Sequence, residues 1–297
     1  NITINLNNFS FKNLQTCRRR PISYAKIVRF SDGVLLKSLW PLECIEKSVV
    51  TLSLSAMKCE GEFEDNLLTF PNLTNLTLYK NSETIDICFK NCQTIKKLCY
   101  VQKNSCLNDE LITSLLLNNS SLDSLELEIK SGLDVKNATP MFKFQLKKFK
   151  LTGSDGMNNN LKAMLLAMIK YQKDSLEILE ISQWCGTEIL REIFTAKNLR
   201  DLTINIDHGL ENTSNIFLHS NASISRLDIL EMQTENDLVQ QLVKLPNLKV
   251  YKTCIMQYED MITLDRNCKN LRELYVEDFA VDFIPNQNLF SNLKIFQ

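Results

Sequence analysis

The sequence predicts an α/β repeat solenoid, a horseshoe with parallel strands on its concave face and helices on its convex face. Three observations lead there. A triplet spaced apolar, two variable residues, apolar, one variable residue, apolar returns along the whole chain about every 24 residues, a period that marks stacked repeats. Between triplets the apolar spacing changes from two to about 3.6, the change from a strand to an amphipathic helix. A strand, a crossover and a second strand of the same direction make a parallel pair, with the crossover covering one face of the sheet.

Counted from the first apolar position, copies start at 1, 25, 49, 73, 95, 122, 146, 176, 199, 224, 248, 271 and 293. Full copies include Leu73-Leu76-Leu78, Leu122-Leu125-Leu127, Leu176-Leu179-Ile181, Leu199-Leu202-Ile204 and Leu271-Leu274-Val276. Ala25-Val28-Phe30 and Leu248-Tyr251-Thr253 are degenerate, yet they fall in phase with their neighbours, which composition alone does not produce. The first copy, Asn1 with Ile4 and Leu6, has a polar first position. Helical spacing follows at Ile85, Cys88, Phe89 and Cys92, and at Leu111, Ile112, Leu115 and Leu116 after Asn108. It returns at Leu161, Met164, Leu165, Met168 and Ile169, with Asn160 as the expected cap, and at Leu238, Val239, Leu242 and Val243 after Asn236. The stretch from Thr152 to Asn160, with Gly153, Gly156 and three consecutive asparagines, is the most loop-like in the chain.

Such an array evades the usual count of domains by length, because each unit contacts mainly its neighbours, and a single domain over 1–297 is expected. Lys plus Arg number 34 against 35 Asp plus Glu, a formal net charge of -1. No global field therefore steers the protein to nucleic acid or to an anionic membrane, and neither is an expected partner. The longest apolar run, Ala163 to Ile169, is far short of the roughly 20 residues that span a bilayer. The chain starts Asn-Ile-Thr and stops part-way through a repeat, so both ends read as cut from something longer. Its ten cysteines form no disulfide framework and mostly occupy apolar repeat positions, where a free thiol packs as a small hydrophobe. A reducing compartment, cytoplasmic or nuclear, is expected.

Alternate residues of a strand face opposite ways, so those two, four and six places after each first apolar position project onto the inner face. The four-place row reads Ser53, Thr77, Cys99, Glu126, Lys150, Glu180, Thr203, Asp228, Lys252, Tyr275. Its charges alternate, so Glu126 should neighbour Lys150, Lys150 should neighbour Glu180, and Asp228 should neighbour Lys252; the two-place row sets Asp201 beside Arg226. Tyr79, Glu126, Glu128, Lys148, Lys150, Glu180, Arg226, Asp228, Lys252 and Tyr275 are the candidate contacts for a protein substrate on the concave face. The competing reading is a solubilising face that neutralises itself, since the row is poor in the Trp, Tyr and Arg that dominate interfaces. Trp184, after a strand where the chain leaves the sheet, is expected to plug a repeat junction.

Reaction chemistry finds little support. His208 and His219 lie beside no nucleophile motif, so no catalytic residue is assigned. Gly153 and Gly156 lack the Lys and the Ser or Thr of a phosphate loop, so no cofactor is expected. Cys88, Cys92, Cys99 and Cys106 could be imagined as a thiolate set, yet Cys88 and Cys92 fall on a helix's apolar stripe, and no metal is expected. Asn-x-Ser/Thr sequons at Asn72, Asn75, Asn118, Asn119, Asn212 and Asn221 are mostly a product of an asparagine-rich composition. Arg18 to Arg20 form the one basic cluster, read as a solvated connector.

These repeats resemble the leucine-rich repeat, and their corners resemble its cysteine-containing, ribonuclease-inhibitor-like subclass. Cys92 precedes Ile95 and Cys268 precedes Leu271 at the offset of that subclass, with Pro71-Asn72-Leu73 and Pro246-Asn247-Leu248 as variants of the same corner. Extracellular relatives build an asparagine ladder three residues beyond the strand, and only Asn81 after Leu78 fits it here. The resemblance therefore points to the F-box and leucine-rich-repeat proteins, whose repeats recognise the substrate of a ubiquitin ligase. It implies an SCF adaptor as a second partner only if an F-box lies upstream of residue 1, and no F-box is visible in this chain. A repeat-only scaffold or inhibitor, and a secreted glycosylated repeat protein, are the alternatives.

Overall fold

The computed structural model of the chain describes residues 3–6, 25–30, 35–36, 43, 45–55, 58–59, 69–79, 89, 92–102, 115–129, 142–153, 157, 159–206, 223–230, 239–240, 242–279 and 294–296. The chain divides into two compact units, Asn1–Leu146 and Lys147–Gln297. Within the described residues the first holds β1 (Thr3–Leu6), β2 (Ile27–Phe30), β3 (Leu35–Leu36), β4 (Thr51–Ser55), β5 (Lys58–Cys59), β6 (Asn75–Tyr79), β7 (Lys97–Gln102) and β8 (Ser124–Ile129). β3 and β5 pair with each other; the other six lie side by side in chain order, all parallel.

The second unit holds β9 (Lys148–Thr152), α1 (Asn159–Gln172), β10 (Ile178–Cys185), α2 (Thr187–Phe194), β11 (Asp201–Ile206), β12 (Arg226–Ile229), β13 (Val250–Met256), α3 (Tyr258–Asn267), β14 (Glu273–Phe279) and β15 (Lys294–Phe296). Its strands are again parallel and in chain order. Both units thus carry the in-phase parallel strands of the α/β solenoid that the period predicts, with the helices α1 to α3 in the second.

From β1 to β14, each strand of these two runs opens two residues after a predicted copy start. The last copy differs. β15 sets Lys294 opposite Glu273 and Ile295 opposite Leu274, so it counts from 292 rather than 293.

The triplet residues form the core. Leu52, Leu54, Leu76, Leu78, Leu125 and Leu127 in the first unit, and Leu179, Ile181, Leu202 and Ile204 in the second, are buried while residues between them stay partly exposed. Burying each such side chain contributes about 1.5–3 kcal/mol. Neighbouring repeats are also tied through the backbone. Val50 and Thr51 both donate to Lys26 O (2.9 and 3.0 Å), Thr74 and Asn75 to Val50 O, Glu177 and Ile178 to Lys147 O, and Arg200 and Asp201 to Glu177 O.

A second tie uses the residue just before each copy start. That column reads Ser48, Asn72, Thr94, Ser121, Gln145, Ser175, Asn198, Ser223, Asn247, Asn270. Three of its hydroxyls donate to the first-position carbonyl of the preceding repeat, Ser48 to Ala25 O at 3.1 Å, Thr94 to Leu73 O at 2.7 Å and Ser223 to Leu199 O at 2.6 Å, whereas Ser175 donates to Gln172 O at 3.2 Å. Its amides reach two residues further back: Asn72 to Lys47 O at 2.7 Å, Asn198 to Asp174 O at 2.6 Å, Asn270 to Pro246 O at 2.7 Å. Corner carbonyls that no strand or helix would satisfy are paired this way. The ladder sought after the strand, at Asn81, lies outside the described residues; the described one precedes the strand.

α1 buries Leu161, Met164, Leu165, Met168 and Ile169, the face its spacing predicts. Asn160, however, lies inside the helix, which already runs from Asn159, so it is not the cap. α2 buries Ile189, Leu190, Ile193 and Phe194, and Lys162 Nζ joins it to α1 through Glu188 Oε2 at 2.8 Å. α3 buries Met261 and Leu264 together with Asp260. Of the other predicted helical faces, Phe89, Cys92, Leu115, Leu116, Val239 and Leu242 are buried and Val243 is half-buried, while Ile85, Cys88, Leu111, Ile112 and Leu238 lie outside the described residues. Phe70 adopts φ 41°, a left-handed conformation that costs a residue with a Cβ about 1–2 kcal/mol. Its ring is fully buried and stacks on Phe89 at 5.2 Å, which offsets that strain.

Candidate functional site

Strand alternation buries one face of each sheet and leaves the other open. In the first unit the register aligns Ser53, Thr77, Cys99 and Glu126 in one row and Ser55, Tyr79, Val101 and Glu128 in the next. Small uncharged side chains on β4 give way to Tyr79, which is 36% exposed, and then to two carboxylates. Burial, followed by a bond with the Cys99 thiol and the charges of Glu126 and Glu128, holds the Tyr79 phenol above its ordinary range. Val101 shares this row but is buried.

In the second unit one row aligns Lys148, Ile178, Asp201, Arg226, Val250 and Glu273, and the next Lys150, Glu180, Thr203, Asp228, Lys252 and Tyr275. Lys150 beside Glu180, Asp201 beside Arg226, and Asp228 beside Lys252 are therefore neighbours, as alternation predicts. Lys150 Nζ meets Glu180 Oε1 at 2.6 Å. The other ion pairs differ from expectation. Asp228 takes Arg226 Nη2, from its own strand, at 3.0 Å, and Lys252 Nζ reaches Glu277 Oε1 on β14 at 3.0 Å. The short, nearly buried Asp228 is met by the guanidinium two residues back on the same face, while the longer lysine stem extends to the more exposed Glu277.

The titration of these groups follows the pairing. The bond with Asp228 raises the Arg226 guanidinium, the bond with Glu277 raises Lys252, and the Lys252 ammonium lowers the Glu277 carboxyl. Tyr275 Oη donates to Glu273 Oε2 at 3.1 Å, a bond that raises the phenol. Four carboxylates of this face, Glu180, Asp228, Glu273 and Glu277, thus have a cation or a phenol from the same unit. The candidate contacts fall into two groups: Tyr79, Glu126 and Glu128 in the first unit, and Lys148, Lys150, Glu180, Arg226, Asp228, Lys252 and Tyr275 in the second.

Trp184 is placed differently from the expectation. It lies within β10, not at the turn beyond it, and is half-buried rather than sealed in a junction. After Ile181 pairs with Ile204, the next register partner of Asn205 is Trp184, so Ser182 and Gln183 are extra residues in β10. Two additional residues preserve alternation: Leu179, Ile181, Gln183 and Cys185 point to the core, and Trp184 to the open face. The bulge is held by Asn205 Nδ2 donating to Ser182 O and by Gly153 N–H donating to Ser182 Oγ, both at 3.3 Å. The sequence concealed this because Gln183 interrupts the apolar alternation at a core position.

Among the described residues no group of three His, Cys, Asp or Glu side chains is placed to hold a metal, and no helix is long and apolar enough to cross a membrane. Cys92 is buried at its corner whereas Cys99 stands in the open-face row. Burial pushes the Cys185 thiol up to about 12 and that of Cys268 up to about 11. Several sequon asparagines are engaged: Asn119 is buried and donates to Cys92 O at 3.3 Å, Asn72 belongs to the corner ladder, and Asn75 Nδ2 donates to Thr51 Oγ1 at 3.4 Å. His208, His219, Arg18 to Arg20, Cys88, Cys106, Gly156, Asn212 and Asn221 lie outside the described residues.

No protein-family model matches the sequence, and no curated protein matches it by sequence search. Solved structures do. An internalin, InlF of Listeria monocytogenes, is 16% identical with a TM-score of 0.56, covering 91% of this chain and 79% of its own. The fold is that of a leucine-rich-repeat protein. A complex of TLR13 with ssRNA13 is 14% identical with a TM-score of 0.46, covering 96% of this chain and 50% of that one.

Proposed function

We propose that this leucine-rich-repeat chain is a protein-recognition module that acts by contact through the open face of its sheet. The observation that carries this reading is the asymmetry of the strands within each unit: one face is sealed by the triplet residues, while most residues of the other, Val101, Asn205 and Asp228 excepted, stay partly exposed and are mainly polar. Such a surface suits a folded or peptide partner, with aromatic and arginine side chains as its strongest contacts.

The finer reading is the substrate-binding repeats of an F-box-type ubiquitin ligase receptor in the cytoplasm or nucleus. It draws on the corner cysteines Cys92 and Cys268, both buried three residues before a copy start, and on free rather than bridged thiols. The engaged amides of Asn72 and Asn119 favour it over a secreted glycoprotein, since a glycan at either would displace a bond between repeats.

A photo-crosslinking residue at Thr203, on the open face, should trap a cellular partner of the full chain, whereas one at Tyr171, exposed on α1, should not. Trapping only from Tyr171 overturns the open-face assignment. Charge reversal at Lys148 and Lys150 should weaken the trapped partner severalfold with little change in melting temperature, because a surface pair such as Lys150–Glu180 contributes only about 0–1 kcal/mol. Unchanged affinity removes those two lysines from the site. Co-precipitation of an SCF adaptor with the complete gene product tests the ligase reading, which falls if none accompanies it.

A further inference from the structure

We propose that the carboxy-terminal ends of β9 to β13 carry an uncharged docking strip, anchored by Trp184, for a segment of a partner polypeptide that presents an aromatic or aliphatic side chain and no charge. This names the partner chemistry of the open face and rests on that face being the contact surface.

The strip is the third row of the second unit. Beyond the two charged rows come Thr152, Ser182, Asn205, Leu230 and Cys254, none of them charged, and the bulge carries Trp184 into register with Asn205. Leu230 continues the ladder, its N–H donating to Ile204 O at 2.9 Å, and the Cys254 thiol donates to Leu230 O. The row ends at Glu277, which Lys252 already occupies. Asn205 faces the open side by alternation, yet it is only 5% exposed, and its register neighbour is the indole. A bulge bends its strand and re-aims a side chain. Here it lengthens β10 and delivers a large amphipathic ring to an otherwise small-featured row.

Charge complementarity selects the occupant. Lys150, Arg226 and Lys252 are each paired within the face, and Lys148 stands at the opposite, amino-terminal end of β9, two rows from the strip. A charged segment, or a phosphate backbone, would have to displace Glu180, Asp228 or Glu277 to reach them. An uncharged segment leaves all three pairs intact and covers Trp184, Leu230 and Cys254. Trp is the residue type most enriched where truncation costs an interface most.

The probe is a phage-displayed library of random linear peptides selected on the full chain carrying Trp40→Phe, which leaves Trp184 as the one tryptophan. Selected peptides should share an aromatic or aliphatic residue without a recurring charge, shift the Trp184 emission, and bind the Trp184→Ala chain about thirtyfold more weakly. Leu230→Lys, in the same row and one strand beyond Asn205, should weaken them as well without lowering the melting temperature, which separates docking from a packing defect. Recurring charged residues, equal affinity for both variants, loss confined to a Trp184→Ala chain that has unfolded, or no binder at all would each overturn the strip. So would tighter retention of a single-stranded RNA homopolymer than of any peptide. Peptides that depend on Lys148, Lys150 or Glu126 but not on Trp184 overturn the strip and leave the open-face reading standing; dependence on none of them overturns both.

Discussion

At Asp228 the choice of partner for one carboxylate decides which charges the open face offers. The side chain is nearly buried and takes the Arg226 guanidinium, so Lys252 is released to Glu277. Truncation should be asymmetric. Arg226→Ala leaves a desolvated carboxylate without its cation and should cost about 1–3 kcal/mol in urea denaturation, whereas Asp228→Asn keeps an acceptor for the guanidinium and should cost less. The reverse order would mean that the pair is held passively by the backbone. That these residues share a face was legible in the sequence, because strand alternation and repeat phase fix their neighbours. Their pairing was not, because it depends on side-chain length and burial, which let Lys252 pass over Asp228 directly opposite it and reach Glu277 on the diagonal. Trp184 was misplaced for another reason: Gln183 on the core side broke the alternation that would have extended β10 to reach it.

Between elements, the corner ladder is the tie that apolar periodicity could not reveal. Ser, Thr, Asn or Gln precedes each copy start from Ser48 to Asn270, a column plain in the sequence but carrying no hydrophobic signal. The bonds of Asn198 and Lys197 offer a direct comparison, since both link to Asp174 in the preceding repeat. Asn198 Nδ2 bonds the Asp174 carbonyl at 2.6 Å, while Lys197 Nζ lies 3.6 Å from its carboxylate with both side chains largely exposed. Asn198→Ala should cost about 1 kcal/mol, as for a typical hydrogen bond within a protein. Lys197→Ala should stay nearer zero, as exposed ion pairs do. Equal losses in thermal melts would deny the ladder a role in stacking. The helices were less legible than the strands because their apolar stripes recur without the strict phase of the triplets; α2 and α3 emerge only from the structure.

For the molecule as a whole, redundancy made the fold readable: one degenerate copy is corrected by its neighbours, and even the slipped last copy misled by a single residue. Redundancy has a chemical consequence too, since apolar repeat positions are filled interchangeably by Leu, Ile, Cys and Tyr. In the second unit this buries acids that ionise at high pH. Burial raises Cys185 from 9.0 to about 12 and Cys268 from 9.0 to about 11, and it raises the fully buried Tyr251 as well. A folded-state value above the unfolded one means that the stabilising contribution is complete below pH 9 and is lost as pH rises, because the unfolded chain releases its protons first. Stability should therefore hold through neutral pH and decline from about pH 9, Cys185 alone contributing a slope of about 1.4 kcal/mol per pH unit until its folded thiol ionises. Replacing both thiols, by Cys185→Val and Cys268→Ala, should flatten the decline between pH 9 and 11 at a modest packing cost. An unchanged slope in guanidinium titrations of that variant would show that alkaline unfolding originates elsewhere, and that buried thiols do not set the upper pH limit of this stack.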